Sequence, residues 1–150
     1  MAMVLTSTAF TANGPISKKY TGEGEDISPP LSWSGLPRGV KELALICDDP
    51  DAPTPKPWVH WVVYHIPPDR SGLPENAGDS FAHGQKDFGT VAYAGPMPPE
   101  GHGVHHYRFH LYALDRPTAA GPGLTKEQLL AAMKGHILAE SELVGTYERT

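Results

Sequence analysis

The sequence predicts a mainly β protein built as one domain, and three observations support this. Glycine and proline contribute 16 residues each to a chain of 150, with no collagen period and no low-complexity block. This composition is typical of many turns and few long helices. Apolar runs of strand length recur, whereas only one segment has the period of an amphipathic helix. The length suits a single domain, residues 1–150, with a core large enough to be stable alone.

The N-terminal half predicts brief strands and then two longer ones. Up to Trp33, short apolar pieces alternate with turn residues, and Pro29-Pro30 excludes a helix there. Leu43–Cys47 is a continuous apolar run that ends at an Asp-Asp-Pro sequence, as expected of a strand buried on both faces. Trp58–Ile66 is rich in aromatic and β-branched residues and stops at two prolines. A loop rich in Gly, Asn and Asp follows over residues 69–89.

The C-terminal half predicts two strands with a helix between them. The strand His105–Asp115 follows a Pro/Gly cluster, and its alternation is regular enough to assign faces. Thr125 with Gln128 three residues later has the form of a capping box, which predicts a helix start. The apolar repeat of this helix, at i, i+4 and i+8, consists of Leu129, Met133 and Ile137. Leu143–Tyr147 is predicted as a last short strand.

Charge and hydropathy exclude several classes of partner. The formal net charge is -5, and the 12 basic residues are scattered, so the basic patch of a nucleic-acid-binding protein is missing. No segment approaches ~18 consecutive apolar residues, and the first residues form neither a basic leader nor an apolar stretch of sufficient length. The sequence therefore predicts a cytoplasmic protein without stable membrane insertion. Its single cysteine, Cys47, is expected to be a small core residue.

The stretch DDPDAPTPKPWVHW, residues 48–61, concentrates three carboxylates and four prolines between two apolar strands. An Asp before a Pro favours a turn, which accounts for Asp48. Asp49 and Asp51 exceed that need, so a site that holds a ligand is expected in this loop. The prolines fix the loop in advance, which limits the entropy lost when a ligand binds.

The alternation of side chains along a strand helps to separate the histidines that could line a site from the rest of the eight. His105 and Tyr107 share a face that is opposite to His106. His60 and His105 each begin a strand after a Pro-rich loop, so both would line one cleft if those strand ends are neighbours. On its own strand, His60 is predicted to share a face with Trp58, Val62 and Tyr64. The histidines predicted to lie on the surface, or in the core with one hydrogen bond, are His65, His83, His110 and His136.

Four segments carry a resemblance to a known family: ISPPLSW, DPDAP followed by WVHW, GPMPPEGHGVHHY and HILAESELVGTYE. Together they resemble the phosphatidylethanolamine-binding protein family, in its bacterial, Raf-kinase-inhibitor-like branch, over nearly the whole chain. The resemblance implies a β-sandwich of two antiparallel sheets with a Greek-key element and one or two helices near the C-terminus. Two positions depart from the family pattern. His106 stands where the family usually has Arg, and Met97 stands where bacterial relatives often have Cys.

The resemblance also implies a pocket of the size of an anion. The ligand-binding residues that it implies are Asp49, Asp51, Trp58, His60, Pro98, His105 and Tyr107. An Asp that accepts one ring N–H of a histidine leaves the other ring nitrogen to donate to a ligand oxygen. The implied ligand is phosphate or a zwitterionic phosphorylated head group. Regulatory contact with a kinase or protease is implied as well, without a cofactor, a metal or a catalytic residue. Bacterial relatives often form homodimers, although no sequence feature decides the oligomeric state.

Two enzymatic alternatives compete with this binding role. A metal-dependent hydrolase would use His102, His105 or His60 together with an Asp as ligands, and a metal-bound water as nucleophile. It is disfavoured because adjacent His105 and His106 face opposite sides of a strand, so both could ligate one ion only at a bulge. A serine hydrolase is disfavoured because the sequence contains no Gly-x-Ser-x-Gly elbow.

Overall fold

The computed structural model describes residues 3–77, 82–83, 93, 95–118 and 123–149, with only the backbone of residues 82–83. The described residues form two antiparallel sheets, as predicted. The smaller sheet has the strand order β1-β2-β5 and consists of β1 (Val4–Thr6), β2 (Leu31–Ser34) and β5 (Gly72–Leu73). The larger has the order β6-β4-β3-β7-β8 and consists of β3 (Glu42–Asp49), β4 (Trp58–Ile66), β6 (Ala82–His83), β7 (His105–Leu114) and β8 (Ile137–Tyr147). A short 3₁₀ helix covers Lys18–Tyr20.

The larger sheet has an apolar cluster on each face, with β3 in the middle. Leu43, Leu45 and Cys47 pack in the cluster shared with the smaller sheet, whereas Ala44 and Ile46 belong to the other cluster. Burial on both faces explains why this strand has no polar alternation, and it confirms the prediction for Leu43–Cys47. Cys47 is a core residue, as expected, and burial raises the pKa of its thiol well above the usual value.

The single α-helix of the described residues covers the second face of the larger sheet. This helix, α1, spans Lys126–Met133, and its buried residues Leu129 and Met133 pack in the second cluster. The predicted capping box is present, because the Thr125 hydroxyl accepts from the Gln128 N–H and the Gln128 side chain accepts from the Thr125 N–H. Among the described residues, neither helix is long and apolar enough to cross a bilayer.

The predicted C-terminal end of the helix is wrong. Ile137 is not a helical residue but begins β8, because the helix ends at Met133 and Gly135 adopts a left-handed φ of 82°. The last strand is consequently much longer than the predicted Leu143–Tyr147, and β8 pairs with β7 along nearly its whole length. Strand pairing outweighs the helical apolar period here.

Two register shifts in β4 overturn the predicted faces of this strand. Cys47 pairs with Trp61 and Asp48 with Val59, so His60 is an extra residue on the β4 side. A second shift lies near His65, whose φ is 58°. His60 therefore faces the first cluster with Trp61, whereas Val62 and Tyr64 face the second cluster. The prediction that His60 shares a face with Val62 and Tyr64 is wrong, because parity changes at a bulge.

Candidate ligand-binding site

A cavity lies at one edge of the larger sheet, where three antiparallel strand ends meet. The end of β3 and the beginnings of β4 and β7 come together because β3 pairs with both neighbours. The cavity has a volume of about 230 Å³. Residues of the two Pro-rich loops form part of its wall. Its lining consists of Asp49, Ala52, Pro53, Thr54, Trp58, His60, Met97, Pro98, Pro99, His105 and Tyr107.

Tyr107 lines this cavity and carries a hydroxyl group without a hydrogen-bond partner among the described residues. Its side chain is buried at 1% exposure, and its hydroxyl oxygen has no hydrogen-bond partner among the described residues. Burial, followed by the nearby charge of Asp49, raises the pKa of this phenol above its ordinary value. The hydroxyl therefore keeps its proton at neutral pH and is available as a donor. A buried donor without a partner is costly, which makes this hydroxyl a candidate to bind a ligand.

Asp49, His105 and His102 form a hydrogen-bonded chain from the interior to the surface. The Nδ1 of His105 lies 2.7 Å from the Asp49 Oδ2, and both side chains are buried. Because a carboxylate only accepts, this ring nitrogen donates to Asp49. The Nε2 of His105 lies 2.6 Å from the Nδ1 of His102, an exposed residue. The expected Asp–His pair is thus present, but the second ring nitrogen, expected to face a ligand, is occupied by His102.

Asp49 also fixes the Pro-rich loop that follows it. Its Oδ1 accepts the Asp51 N–H at 2.8 Å, which is a turn stabilised by a side chain. Asp51 itself is turned toward His106, whose backbone N–H and ring Nδ1 lie 2.8 and 2.7 Å from the Asp51 Oδ2. Burial opposes ionisation of Asp51, but these hydrogen bonds outweigh it and lower the pKa of the carboxyl. Asp51 therefore forms an exposed contact with His106 beside the cavity and is not part of the cavity lining.

His60 enters the cavity because of the bulge in β4. Its ring meets the ring of Tyr107 edge to face, with the centroids 5.2 Å apart and the planes at 74°. His60 is 4% exposed. In a regular strand its side chain would point to the opposite face of the sheet, and the bulge turns it toward the cavity.

The structure brings six of the seven predicted site residues to the cavity. These six are Asp49, Trp58, His60, Pro98, His105 and Tyr107. Asp51 lies beside the cavity in its pair with His106, which faces away from His105 as predicted. Sequence reasoning did not predict the contact between His102 and His105, although the spacing His-x-x-His, which passes from a loop into a strand, was a signal for it. Met97 forms part of the lining and is 43% exposed.

The remaining histidines with described side chains pair with carboxylates. His65 lies 2.7 Å from buried Glu42, and His136 lies 2.9 Å from Asp115. His110 contacts Glu142 at 3.2 Å. These contacts agree with the surface or singly bonded roles predicted for them, whereas the side chain of His83 lies outside the described residues. Over the described part of the chain, no group of three or more His, Cys, Asp or Glu residues is arranged to hold a metal ion.

The fold and the cavity define a two-sheet β protein with a candidate site, lined by Asp49, His60, His105 and Tyr107, where loops meet the sheet edge. Residues 6–148 match the phosphatidylethanolamine-binding protein family, and the chain belongs to this family. A UPF0098 protein of Methanothermobacter thermautotrophicus is 52% identical, with 98% of this chain and 99% of the relative covered.

Two solved structures are also closely similar. A putative phosphatidylethanolamine-binding protein homologue from Chlamydia trachomatis superimposes with a TM-score of 0.94 at 47% identity, over 99% of both chains. E. coli YbcL, described as a new member of the mammalian family, gives a TM-score of 0.93 at 30% identity over the whole of both chains. The predicted class of fold, two antiparallel sheets with a helix near the C-terminus, is therefore confirmed.

Proposed function

We propose that this chain is a binding protein for a small oxyanion, such as phosphate or the phosphate of a phosphorylated head group. The observation that carries the proposal is Tyr107, which lines the cavity and whose buried hydroxyl has no partner among the described residues. An oxyanion supplies the acceptor that this donor lacks. His60 and His105 line the same cavity, so both rings lie beside the group that the cavity would hold.

The carboxylates near the cavity do not prevent anion binding. A bare Asp would repel an anion by about 1 kcal/mol at 4 Å even in bulk water. Both oxygens of Asp49 are engaged, one by the ring of His105 and the other by the Asp51 N–H. The described hydrogen bonds of the Asp51 side chain come from His106, outside the cavity lining. Both carboxylates therefore accept hydrogen bonds that organise the site.

A binding role agrees with the descriptions of the relatives. The similar proteins are described as UPF0098 proteins or as homologues of a phosphatidylethanolamine-binding protein.

The cavity also has room for a small group such as phosphate. Its volume of about 230 Å³ exceeds the roughly 30 Å³ that one water occupies in the liquid.

Titration with phosphate, and separately with phosphoethanolamine, tests the proposal. The ring resonances of His60 and His105 are followed by NMR, with His136 as an internal control because it pairs with Asp115 away from the cavity. We expect saturable shifts of His60 and His105 at millimolar ligand and none at His136. Signals of His60 and His105 that do not move, or that move only in parallel with His136, would refute the proposed function.

A further inference from the structure

His102 holds a ring nitrogen that an anion would need. Both nitrogens of His105 are engaged in the ligand-free protein, Nδ1 by Asp49 at 2.7 Å and Nε2 by His102 at 2.6 Å. A neutral His105 accepts from the Nδ1–H of His102, and a protonated His105 donates to it. In either state the Nε2 atom is occupied, so His105 has no free N–H to offer.

The surroundings of His102 allow its ring to leave without disturbing the fold. His102 is exposed, whereas His105 is 1% exposed. The backbone around His102 is held independently of its ring, because the His102 N–H donates to the Pro99 carbonyl and the Gly101 N–H to the Arg149 carbonyl. Rotation of one exposed side chain therefore suffices to release the Nε2 atom of His105.

We propose that His102 is a latch residue that competes with the anion for the Nε2 atom of His105 and thereby sets the affinity of the site. This inference rests on the proposed function and adds a residue that acts through His105. An entering oxyanion displaces the His102 ring, and His105, still oriented by Asp49, donates from its protonated Nε2 atom. The protein gives up one internal hydrogen bond to bind, which weakens the measured affinity.

The substitution His102→Ala tests the latch by the direction of the affinity change. A hydrogen bond contributes about 0.5–1.5 kcal/mol net, so its removal from the ligand-free state is expected to tighten phosphate binding about 2- to 10-fold. His102→Asn places an amide near the former Nδ1 position and is expected to restore an affinity close to that of the unaltered protein. His136→Ala is the matched control, since it removes an imidazole paired through Nδ1 away from the cavity, and it is expected to leave the affinity unchanged.

A second measurement reports on the latch without a ligand. Diethyl pyrocarbonate acylates unprotonated ring nitrogens, and the extent of modification at His105 is mapped by peptide mass spectrometry. Because His102 covers the only ring nitrogen of His105 that does not contact Asp49, we expect several-fold faster acylation of His105 in His102→Ala. The rate in His136→Ala is expected to equal that of the unaltered protein, and phosphate is expected to slow the reaction.

The outcomes separate the latch from the proposed function. Phosphate binding that is weaker or unchanged in His102→Ala, with binding by the unaltered protein intact, overturns the latch and leaves the function standing. The lack of phosphate binding by both proteins overturns the proposed function and the competition that depends on it. An unchanged rate of His105 acylation in His102→Ala overturns the latch whatever the binding result.

Discussion

Tyr107 is the residue whose substitution separates a ligand-binding role from a structural one. Its hydroxyl has no partner in the described structure, so Tyr107→Phe removes no internal hydrogen bond. We expect an unchanged or higher free energy of unfolding, by up to about 1 kcal/mol. Phosphate binding is expected to weaken about 10-fold, the equivalent of about 1.4 kcal/mol for a bond to a charged acceptor. Urea denaturation and calorimetric titration measure the two quantities.

Tyr64→Phe is a matched control for this substitution. The Tyr64 hydroxyl accepts the Leu124 N–H at 3.2 Å on the other face of the sheet. This variant is expected to lose stability and to keep its phosphate affinity. A Tyr107→Phe protein that loses stability while binding phosphate normally would contradict the role assigned to the Tyr107 hydroxyl.

Most site residues could be predicted from the sequence because they lie in two distinctive motifs at strand ends. The cavity lining contains Asp49 from one motif and His105 with Tyr107 from the other. The partners of individual atoms could not be predicted. Asp51 pairs with His106, and the ring of His102 contacts the Nε2 atom of His105. Both contacts depend on loop conformations that no periodic pattern encodes.

At the scale of elements, a buried carboxylate ties the helix α1 to the larger sheet. The Oδ2 of Asp48 at the end of β3 lies 2.7 Å from the Nζ of Lys126 in the first turn of the helix, and its Oδ1 lies 2.9 Å from the Nε of Arg108 on β7. The Asp48 side chain is 2% exposed. Burial opposes its ionisation, but the two cations outweigh burial and lower the pKa of the carboxyl. Asp48, interpreted from the sequence as a turn former, is therefore a link between elements.

Asp48→Asn is expected to lower the free energy of unfolding by about 3 kcal/mol, because two cations lose a buried partner. Asp115→Asn removes an exposed carboxylate from His136 and is expected to change stability by less than about 1 kcal/mol. The folded pKa of Asp48 lies below its unfolded value, so its contribution is present above pH ~3.9 and is lost as the pH falls further. Urea denaturation at pH 7 and pH 3 measures both effects, and equal losses in the two variants would contradict this role of Asp48.

The first and last residues of a strand or helix could be predicted where a local sequence signal marked them. The predicted and observed bounds of Trp58–Ile66 coincide because prolines precede and follow this strand. Thr125 and Gln128 marked the helix start equally well. The length of β8 and the bulge at His60 depend on long-range pairing of β8 with β7 and of β4 with β3, whereas Gly135 was a local signal for the helix end. The local alternation of side chains does not reveal where a bulge shifts such pairing.

At the scale of the whole molecule, the composition predicted the class of fold, and the arrangement of the sheets determines where the site lies. The cavity forms because β3 lies between β4 and β7, which brings loops distant in sequence to one edge. Neither the strand order nor the pairing register could be derived from periodicity alone. The family resemblance supplied the two-sheet arrangement that the structure shows.

The core is expected to make the protein sensitive to alkaline pH. Burial, followed by the charge of Glu140, raises the pKa of Tyr112 to about 12, whereas an unfolded tyrosine titrates near pH ~10. The folded state therefore resists ionisation while the unfolded state releases its proton. The free energy of unfolding should fall between pH ~10 and about 12, by up to about 1.4 kcal/mol per pH unit for this residue.

Urea denaturation at pH 8 and pH 11 measures this loss. Tyr112→Phe removes the titrating group and is expected to show a smaller loss between the two pH values than the unaltered protein. Equal losses in the two proteins would contradict the assignment of alkaline sensitivity to Tyr112.

A crystal structure of the protein soaked in phosphate tests oxyanion binding most directly. The account predicts a phosphate inside the cavity, with one of its oxygens about 2.5–3.0 Å from the Tyr107 hydroxyl oxygen and the rings of His60 and His105 against it. A cavity that contains only water at a phosphate concentration of tens of millimolar, or a phosphate bound elsewhere while the Tyr107 hydroxyl contacts water, would contradict it.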